Sequence, residues 1–227
     1  MGRPLRIALI SDIHSNLPAL RAVLDDLPSV AGIVCLGDLV GYYADANEVC
    51  DVLRDAAVLT IRGNHEAYLL GELEPDPRKV VAYRTEWTRR TLTPRNLAWL
   101  ETLPVEMRFR WGGRPVWARH ASPWDEETYL YPDSPSLERL HLSANEVLLV
   151  GHTHHPMEIA RGSGLVINPG SVGQPRDWIS DASYALLDVD SGRAEFRRAR
   201  YDVRALQDRL SRDGWDPAFI DVLSRSR

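Results

Sequence analysis

The chain has 227 residues and a formal net charge of −5, with 44% hydrophobic and 26% charged residues, an ordinary globular composition. The acidic balance argues against an extended nucleic-acid surface and against attraction to an anionic membrane, so a phosphate-bearing ligand would need local cations. The length suits one domain, which we expect to span residues 1–227.

The first part of the chain alternates short apolar runs with amphipathic segments. Asn16 is expected to cap the first helix, with Pro18 in its first turn. The βαβαβ order indicates a parallel sheet covered by helices. The predicted elements are a strand at residues 5–10, a helix at 17–27, a strand at 33–36, a helix at 46–56 and a strand at 58–61.

The middle of the chain is predicted to be helical and the remainder rich in strands. Helices are expected at residues 79–92 and 95–103, with Pro94 between them. Gly112-Gly113 indicates a hairpin turn. The remaining predicted elements are strands at 107–111, 115–118, 147–150, 158–160, 165–167, 183–189 and 194–200, and helices at 203–212 and 217–224. This mixture predicts two sheets packed face to face with helices outside.

Cysteine usage and the lengths of the apolar runs indicate the cellular compartment of the protein. Cys35 and Cys50 form no CxxC motif and no disulfide framework, which suits a reducing cytosol, and Cys35 is predicted to lie in the core. The run at residues 5–10 is too short for a signal peptide, and no run approaches the roughly 18 apolar residues of a spanning helix. We therefore expect a cytoplasmic protein.

Five short polar motifs each follow a predicted strand. In open α/β sheets, ligands collect beyond the carboxyl ends of the strands, so the motifs are expected to meet. Alone, each has an ordinary structural reading, such as a helix cap, a turn or a satisfied buried histidine. Together they hold five of the seven histidines, which makes chance placement a poor explanation. The motifs are Asp12-Ile13-His14, Gly37-Asp38, Gly63-Asn64-His65-Glu66, His120 and Gly151-His152-Thr153-His154.

The candidate metal ligands comprise two carboxylates, one amide oxygen and four imidazoles. These donors exceed what one tetrahedral zinc takes. They suit two metal ions about 3.5–4 Å apart, which would share a carboxylate and a hydroxide and hydrolyse a phosphoester by in-line attack of that hydroxide. Nitrogen and oxygen ligands without thiolate favour Mn, Fe, Co, Ni or Zn. The ligands are Asp12, Asp38, Asn64, His14, His120, His152 and His154.

The order D-x-H, G-D, G-N-H-[ED], H and G-H-x-H resembles the calcineurin-like metallophosphoesterase superfamily, over residues 7 to about 177. The resemblance implies an α/β fold: a four-layer α/β/β/α sandwich of two mixed β-sheets flanked by helices. It also implies His65 as the catalytic residue that protonates the leaving oxygen or stabilises its charge. The implied ligands are Asp12, His14 and His154 for one metal, Asn64, His120 and His152 for the other, and Asp38 as the bridge.

The sequence of the loop after Gly37 indicates which group of the superfamily this chain resembles. Protein Ser/Thr phosphatases and diadenosine tetraphosphate hydrolases carry G-D-x-V-D-R-G, whereas this chain reads Gly37-Asp38-Leu39-Val40-Gly41-Tyr42-Tyr43. The missing Asp and Arg argue against both activities and against an Asp in that loop that orients His65. Instead GDLVGYYADANEV, HASP at 120–123 and residues 168–177 resemble the compact bacterial and archaeal phosphodiesterases, some of which act on cyclic nucleotides.

The resemblance implies a metal-dependent hydrolase of small phosphodiesters, nucleotides among the candidates, with two divalent ions of which manganese is the first choice. The alternatives are a phosphomonoesterase or nucleotidase with the same site, and a metal-binding scaffold of the same fold, such as the retromer subunit. Since a scaffold has no need of His65 and the full ligand set, the sequence favours an enzyme. Homodimerisation stays open, and no membrane or extended nucleic-acid partner is expected.

Neighbouring side chains give weaker candidates. The candidate phosphate contacts are Asn64, Arg119 and Arg176. Arginine is suited to this role because it binds phosphate through paired hydrogen bonds. The alternative for each arginine is an ordinary surface or sheet-edge position. His155 is expected to lie outside the ligand set, and His141 to be a structural residue in a helix. Five aromatic residues are predicted to pack the motif loops or, alternatively, to stack on a nucleobase: Tyr42, Tyr43, Trp124, Tyr129 and Tyr131.

Overall fold

Two mixed β-sheets make up the centre of the protein, whose computed structural model describes residues 5–225. In the first sheet β1 pairs in parallel with β2, and β2 with β3, while β9 pairs antiparallel with β1 and β10. In spatial order its strands are β10 (Ala194–Ala199), β9 (Ala182–Asp188), β1 (Arg6–Ile10), β2 (Ile33–Cys35) and β3 (Leu59–Thr60).

The second sheet has a parallel centre and antiparallel edges. Strand β6 pairs in parallel with β5 and with β8, whereas β4 and β7 are antiparallel edge strands. In spatial order the strands are β4 (Glu106–Trp111), β5 (Arg114–Arg119), β6 (Val147–Leu149), β8 (Gly164–Pro169) and β7 (Pro156–Arg161). The predicted turn at Gly112-Gly113 joins β4 to β5.

The two sheets pack face to face around one apolar layer. Alternate residues of the central strands point into it, among them Leu9 of β1, Val147 of β6 and Ile167 of β8, all fully buried. The intervening residues Ala8 and Ile10 face the helices on the other side of the first sheet. Strands buried on both faces read as continuous apolar runs, which is why their positions could be predicted.

Helices cover the outer face of the first sheet, and further helices lie beside the motif loops. On the outer face of the second sheet, the cover includes one 3₁₀ turn, Pro135–Arg139, whose Leu137 packs on Leu148. The predicted sandwich of two mixed sheets flanked by helices is confirmed. The helices are α1 (Leu17–Asp26), α2 (Ala46–Asp55), α3 (Asn64–Leu70), α4 (Val80–Tyr83), α5 (Thr85–Thr91), α6 (Pro94–Thr102), α7 (Val203–Arg212) and α8 (Pro217–Ile220).

Three local predictions were wrong. The helix expected at residues 79–92 is divided at Arg84, which has a φ of 53°. Contacts distant in sequence hold that residue, because its guanidinium lies 3.8 Å from the ring centroid of Trp215. The last helix ends at Ile220 and continues as a 3₁₀ turn, Asp221–Ser224. His141 lies outside any helix.

Both cysteines are buried without a disulfide, and burial raises the pKa of each thiol. Cys35 packs in the core under α1 and α2, as predicted. Within residues 5–225, no helix has the length and apolar character needed to cross a membrane.

Candidate metal centre

The five polar motifs meet where the carboxyl ends of β1, β2, β3, β5 and β6 come together. The first three strands are parallel neighbours in one sheet, and β5 and β6 are parallel neighbours in the other. The face-to-face packing brings both sets of loops to one edge of the sandwich. The seven predicted ligands are all buried there: Asp12, His14, Asp38, Asn64, His120, His152 and His154.

The ligand atoms form overlapping clusters. One comprises Asp12, His14 and His154, and another Asp38, His120 and His152, with ligand atoms within 4.8 Å of one another in each. His14 and Asp38 form a third such group with His65. Asp12 and Asp38 connect the clusters, because His120 Nε2 lies 3.2 Å from Asp38 Oδ2 and 3.9 Å from Asp12 Oδ1.

Each of the four candidate ligand histidines is oriented by a backbone carbonyl. The Nδ1 atoms of His14, His120 and His154 lie 3.0, 2.7 and 2.6 Å from carbonyl oxygens. His152 instead uses Nε2, which lies 3.0 Å from the oxygen of Glu127. Since a carbonyl only accepts, these nitrogens carry the protons, and the other nitrogen of each neutral ring presents a lone pair. Such outer hydrogen bonds fix the tautomer of metal-binding histidines. The accepting residues are Val40, Leu36, Gln174 and Glu127.

The donor set fits divalent cations. His14 Nε2 and His154 Nε2 are 3.1 Å apart, yet both are acceptors in the tautomers set by their carbonyl partners, so neither can donate to the other. Asn64 Oδ1 is buried and has no hydrogen-bond partner among the described residues. Buried acceptors that face one another are costly unless a cation lies among them.

The electrostatics of the pocket also favour positive charge. Burial acts to lower the pKa of His120, but the Asp38 and Asp12 carboxylates outweigh it and raise that pKa to about 10. Burial lowers the pKa of His152 to about 3 and that of His14 well below its usual value. Asp38 has a pKa far below its usual value, because the nearby histidines outweigh its burial. The centre therefore combines anionic carboxylates with neutral imidazoles at His14 and His152, and its field also favours a cationic His120.

The backbone of the ligand loops is unusual. Five of the seven candidate ligand residues have positive φ angles between 50° and 66°. The left-handed region is sparsely populated by residues other than glycine, although Asp and His tolerate it better than most, and such residues cluster at functional sites. The residues are Asp12, His14, Asp38, His152 and His154.

Close approach at Gly151 keeps two ligand loops together. A Cβ atom at this position would lie 2.1 Å from Ser11 Oγ and 2.9 Å from Asp12 Oδ2. The absence of a side chain lets the His152 amide approach Asp12, whose carboxylate oxygens lie 3.1 and 3.2 Å from that nitrogen. Glycine at the start of the G-H-x-H motif is therefore a packing requirement.

His65 is buried beside the ligand clusters in a pocket of aromatic rings. Its ring centroid lies 4.7 Å from that of His14, 4.4 Å from Tyr83 and 5.0 Å from Tyr42. Burial lowers its pKa to about 4, although the Asp38 carboxylate acts in the opposite direction. A Cβ atom at Gly41 would lie 2.2 Å from His65 Nδ1. The loop that departs from G-D-x-V-D-R-G therefore has no room for a side chain at residue 41 with the ring in this position.

Glu66 belongs to the predicted G-N-H-[ED] motif, but its sequence position alone gave it no role. It is fully buried, and its carboxylate accepts hydrogen bonds from four backbone amides, those of Asp38, Leu39, Val40 and Gly63. Burial and the Asp38 carboxylate raise its pKa to about 7, whereas the amide donors favour the ionised form. Glu66 thus joins the loops that carry Asp38 and Asn64. The signal was available, because an acid three residues after a helix cap is the capping-box spacing.

Asn168 was also missed as a site residue. Its Nδ2 atom donates to the oxygen of Gly151 at 2.6 Å and to Thr153 Oγ1 at 3.0 Å, so it fixes the loop that carries His152 and His154. Its own sequence context, the end of an apolar strand before Pro169, gives no indication of this contact across β6 and β8.

Of the remaining candidate residues, Arg176 lies near the candidate metal centre, whereas Arg119, His155 and His141 lie outside it. Arg176 lies near the centre, where its Nη2 atom is 3.1 Å from the hydroxyl oxygen of Tyr42 and its backbone nitrogen donates to the oxygen of His154 at 3.3 Å. Arg119 points to the outer face of the second sheet, where its Nε atom donates to the oxygen of Ser122 at 3.0 Å. His155 folds back on its own loop, with Nδ1 2.8 Å from the oxygen of Thr153. Neither His155 nor the exposed His141 belongs to the clusters.

Comparison with known proteins finds relatives that match most of this chain. A crystal structure of a metallophosphoesterase from Sphaerobacter thermophilus is similar, with a TM-score of 0.84, 31% identity, and coverage of 98% of this chain and 99% of that one. An uncharacterised protein of Methanocaldococcus jannaschii is 36% identical, with coverage of 90% of this chain and 91% of its own length. Phosphodiesterase YfcE of Escherichia coli K12 is 28% identical, with coverage of 82% and 89%.

The family assignment follows from the same comparisons. The model of the calcineurin-like phosphoesterase superfamily domain matches residues 5–192, which include all five motifs. The resemblance predicted from the sequence is therefore confirmed. This chain belongs to the calcineurin-like phosphoesterase superfamily.

Proposed function

We propose that this protein is a phosphodiesterase that hydrolyses small phosphodiesters with two bound divalent metal ions. The observation that carries the proposal is the donor set itself: seven buried oxygen and nitrogen ligands from five loops, with lone pairs that face one another. The name of the relative YfcE supports diesters as the substrate class.

The proposed ligands of the first ion are Asp12, His14 and His154, and those of the second are Asn64, His120 and His152, with Asp38 shared. Asp38 supports this division, because it belongs to two of the ligand clusters. Mixed nitrogen and oxygen donors without thiolate suit manganese, iron, zinc, nickel or cobalt, and the resemblance to the family makes manganese the first choice. When bound, such ions would supply Lewis-acid polarisation of the phosphoryl oxygens and lower the pKa of a bound water.

The chain's own residues would orient the substrate and manage the leaving group. His65 is neutral at physiological pH, because its pKa is lowered to about 4. A neutral imidazole can donate an N–H hydrogen bond to the leaving oxygen as negative charge develops there. Its backbone N–H donates to Asp38 Oδ1 at 2.9 Å, which ties the position of His65 to that of the shared ligand.

Arg176 is the better of the two arginine candidates for contact with phosphate. It lies against Tyr42 and the His154 loop, whereas Arg119 is engaged with Ser122 and lies 3.9 Å from Glu106 on the outer face of the second sheet. The proposal therefore assigns phosphate contact to Arg176 and Asn64. Arg119 is left as a brace of the loop that follows His120.

The test is hydrolysis of bis-p-nitrophenyl phosphate in the presence of Mn²⁺, with metal content measured on the same samples. We expect turnover by the wild type and a loss of about 10²–10⁴-fold in kcat for His65→Ala, the usual contribution of a positioned proton donor. His155→Ala is the matched control and should retain turnover. Absence of turnover in metal-loaded wild type, or equal rates for wild type and His65→Ala, would contradict the proposal. Comparison with p-nitrophenyl phosphate separates diesterase from monoesterase.

A further inference from the structure

A cavity of about 340 Å³ lies beside the candidate metal centre and shares walls with it. The Tyr42 ring, on one wall, is 4.7 Å from the His14 ring. The Tyr129 ring, on another, is 4.0 Å from the His152 ring. The cavity and the candidate metal centre therefore have the Tyr42 and Tyr129 rings as a common boundary.

The charge of the cavity is the opposite of that of the protein. Lys79, Arg176 and Arg225 line it, and none of its lining residues in the described part of the chain is acidic, although the net charge is −5. Within residues 5–225, none of the three cations lies within ion-pair distance of a carboxylate. Arg176 is held instead by neutral acceptors, the hydroxyl of Tyr42 and the amide oxygen of Gln174. An excess of unpaired cations around one cavity favours an anionic ligand.

Lys79 is the only lysine in the sequence, so chemical labelling of lysine side chains reports on this cavity alone. It is exposed and lies directly before α4, at the rim of the cavity. A lysine on a flexible stem offers a mobile point charge, which suits an anionic group whose distance from the metal centre is set by the rest of the ligand.

The walls between these cations are aromatic. Tyr42, Tyr83 and Tyr129 all face the cavity, and the Tyr129 ring is stacked parallel to that of Tyr131 at 5.9 Å. Aromatic walls bind planar rings by stacking, without strong preference among them. The volume falls at the small end of ligand sites, roughly 300–1,000 Å³, so one small arm fits and a polymer does not.

We propose that this cavity is a second anion site, which binds the arm of a phosphodiester that carries a planar ring and a further negatively charged group. This inference deepens the proposed function and depends on it for the identity of the reacting phosphate. Lys79 and Arg176 bind the further anion, and the tyrosines bind the ring. The substrate class is thus a nucleotide-like diester with a second phosphate or carboxylate.

Two chromogenic diesters that differ only in the second anion test the inference. They are p-nitrophenyl thymidine 5′-phosphate and the same compound with a 3′-phosphate. We expect wild type to show about tenfold higher kcat/KM for the 3′-phosphorylated compound, the effect of one charge-assisted hydrogen bond. Lys79→Gln should reduce this ratio severalfold and Lys79→Arg should retain most of it. Arg95→Gln, which removes a positive charge from exposed α6, should keep the wild-type ratio. Equal kcat/KM for the two compounds in wild type, or an unchanged ratio in Lys79→Gln, would overturn the inference.

A binding measurement separates this inference from the proposed function. Trinitrobenzenesulfonate modifies lysine amines, and the peptide that contains Lys79 reports the modification by mass spectrometry. We expect thymidine 3′,5′-bisphosphate to protect Lys79 at concentrations at which thymidine does not. Protection without turnover of either diester would support the anion site and refute the phosphodiesterase proposal. Turnover without protection would refute the anion site alone.

Discussion

Replacement of Glu66 by glutamine should strongly lower the free energy of unfolding, although the two side chains have nearly the same shape. Each carboxylate oxygen of Glu66 accepts two backbone amides: Oε1 from Leu39 and Val40 at 2.8 and 3.1 Å, and Oε2 from Asp38 and Gly63 at 2.9 and 2.7 Å. In glutamine one of these oxygens becomes an NH₂ group, so two buried amides lose their acceptor and face a donor.

The magnitude follows from the number of donors left without a partner. A buried donor without an acceptor costs about 1–3 kcal/mol, so two should lower the free energy of unfolding by about 2–6 kcal/mol. The same change should loosen the Asp38 and Asn64 loops and weaken metal binding. The loss of affinity should be about 10–100-fold, as for other residues that orient metal ligands.

Urea unfolding of metal-free protein measures the first effect, and Mn²⁺ titration of the folded variant measures the second. Glu101→Gln, on the exposed side of α6, is the matched control and should change the free energy of unfolding by less than about 0.5 kcal/mol. If Glu66→Gln were as stable as this control, the carboxylate would not hold the two loops together, and the account of Glu66 would be wrong.

Three further changes test other parts of the site. His154→Ala should abolish binding of at least one metal ion, measured by metal analysis, whereas His155→Ala should leave metal content unchanged; equal losses would contradict the ligand assignment. Gly41→Ala should lower kcat at full metal occupancy, because its Cβ atom would displace the His65 ring; an unchanged kcat would show that the ring tolerates movement. Mn²⁺ at 100 times its Kd should stabilise chelator-treated protein by about 2.7 kcal/mol, measured by urea unfolding. No stabilisation by Mn²⁺ or the other candidate metals would argue against a metal centre.

Several of the loops that carry the site could be predicted because the central strands β1, β2 and β6 are buried on both faces. Continuous apolar runs such as the one before Ser11 mark such strands, and the first polar residues after them mark their exits. The histidines at residues 14, 120, 152 and 154 stand directly at or just beyond these exits. Position in sequence therefore carried most of the information about which side chains would meet.

Other features depend on contacts that no local pattern contains. The carbonyls of Leu36 and Glu127 orient His120 and His152 from remote segments of the chain. At the break between α4 and α5, the Arg84 guanidinium packs on the ring of Trp215, which lies in the C-terminal segment. Tertiary contacts can override helix propensity, so the helical pattern across Arg84 wrongly predicted one continuous helix. The left-handed backbone at Asp38 likewise follows from the packing of its loop.

The most direct test of the metal centre is an anomalous difference map from crystals grown or soaked with Mn²⁺. The account predicts two peaks, one among Asp12, His14 and His154 and one among Asn64, His120 and His152, with Asp38 in contact with both. A single peak, or peaks that leave Asn64 and His152 without a metal, would contradict the dinuclear centre.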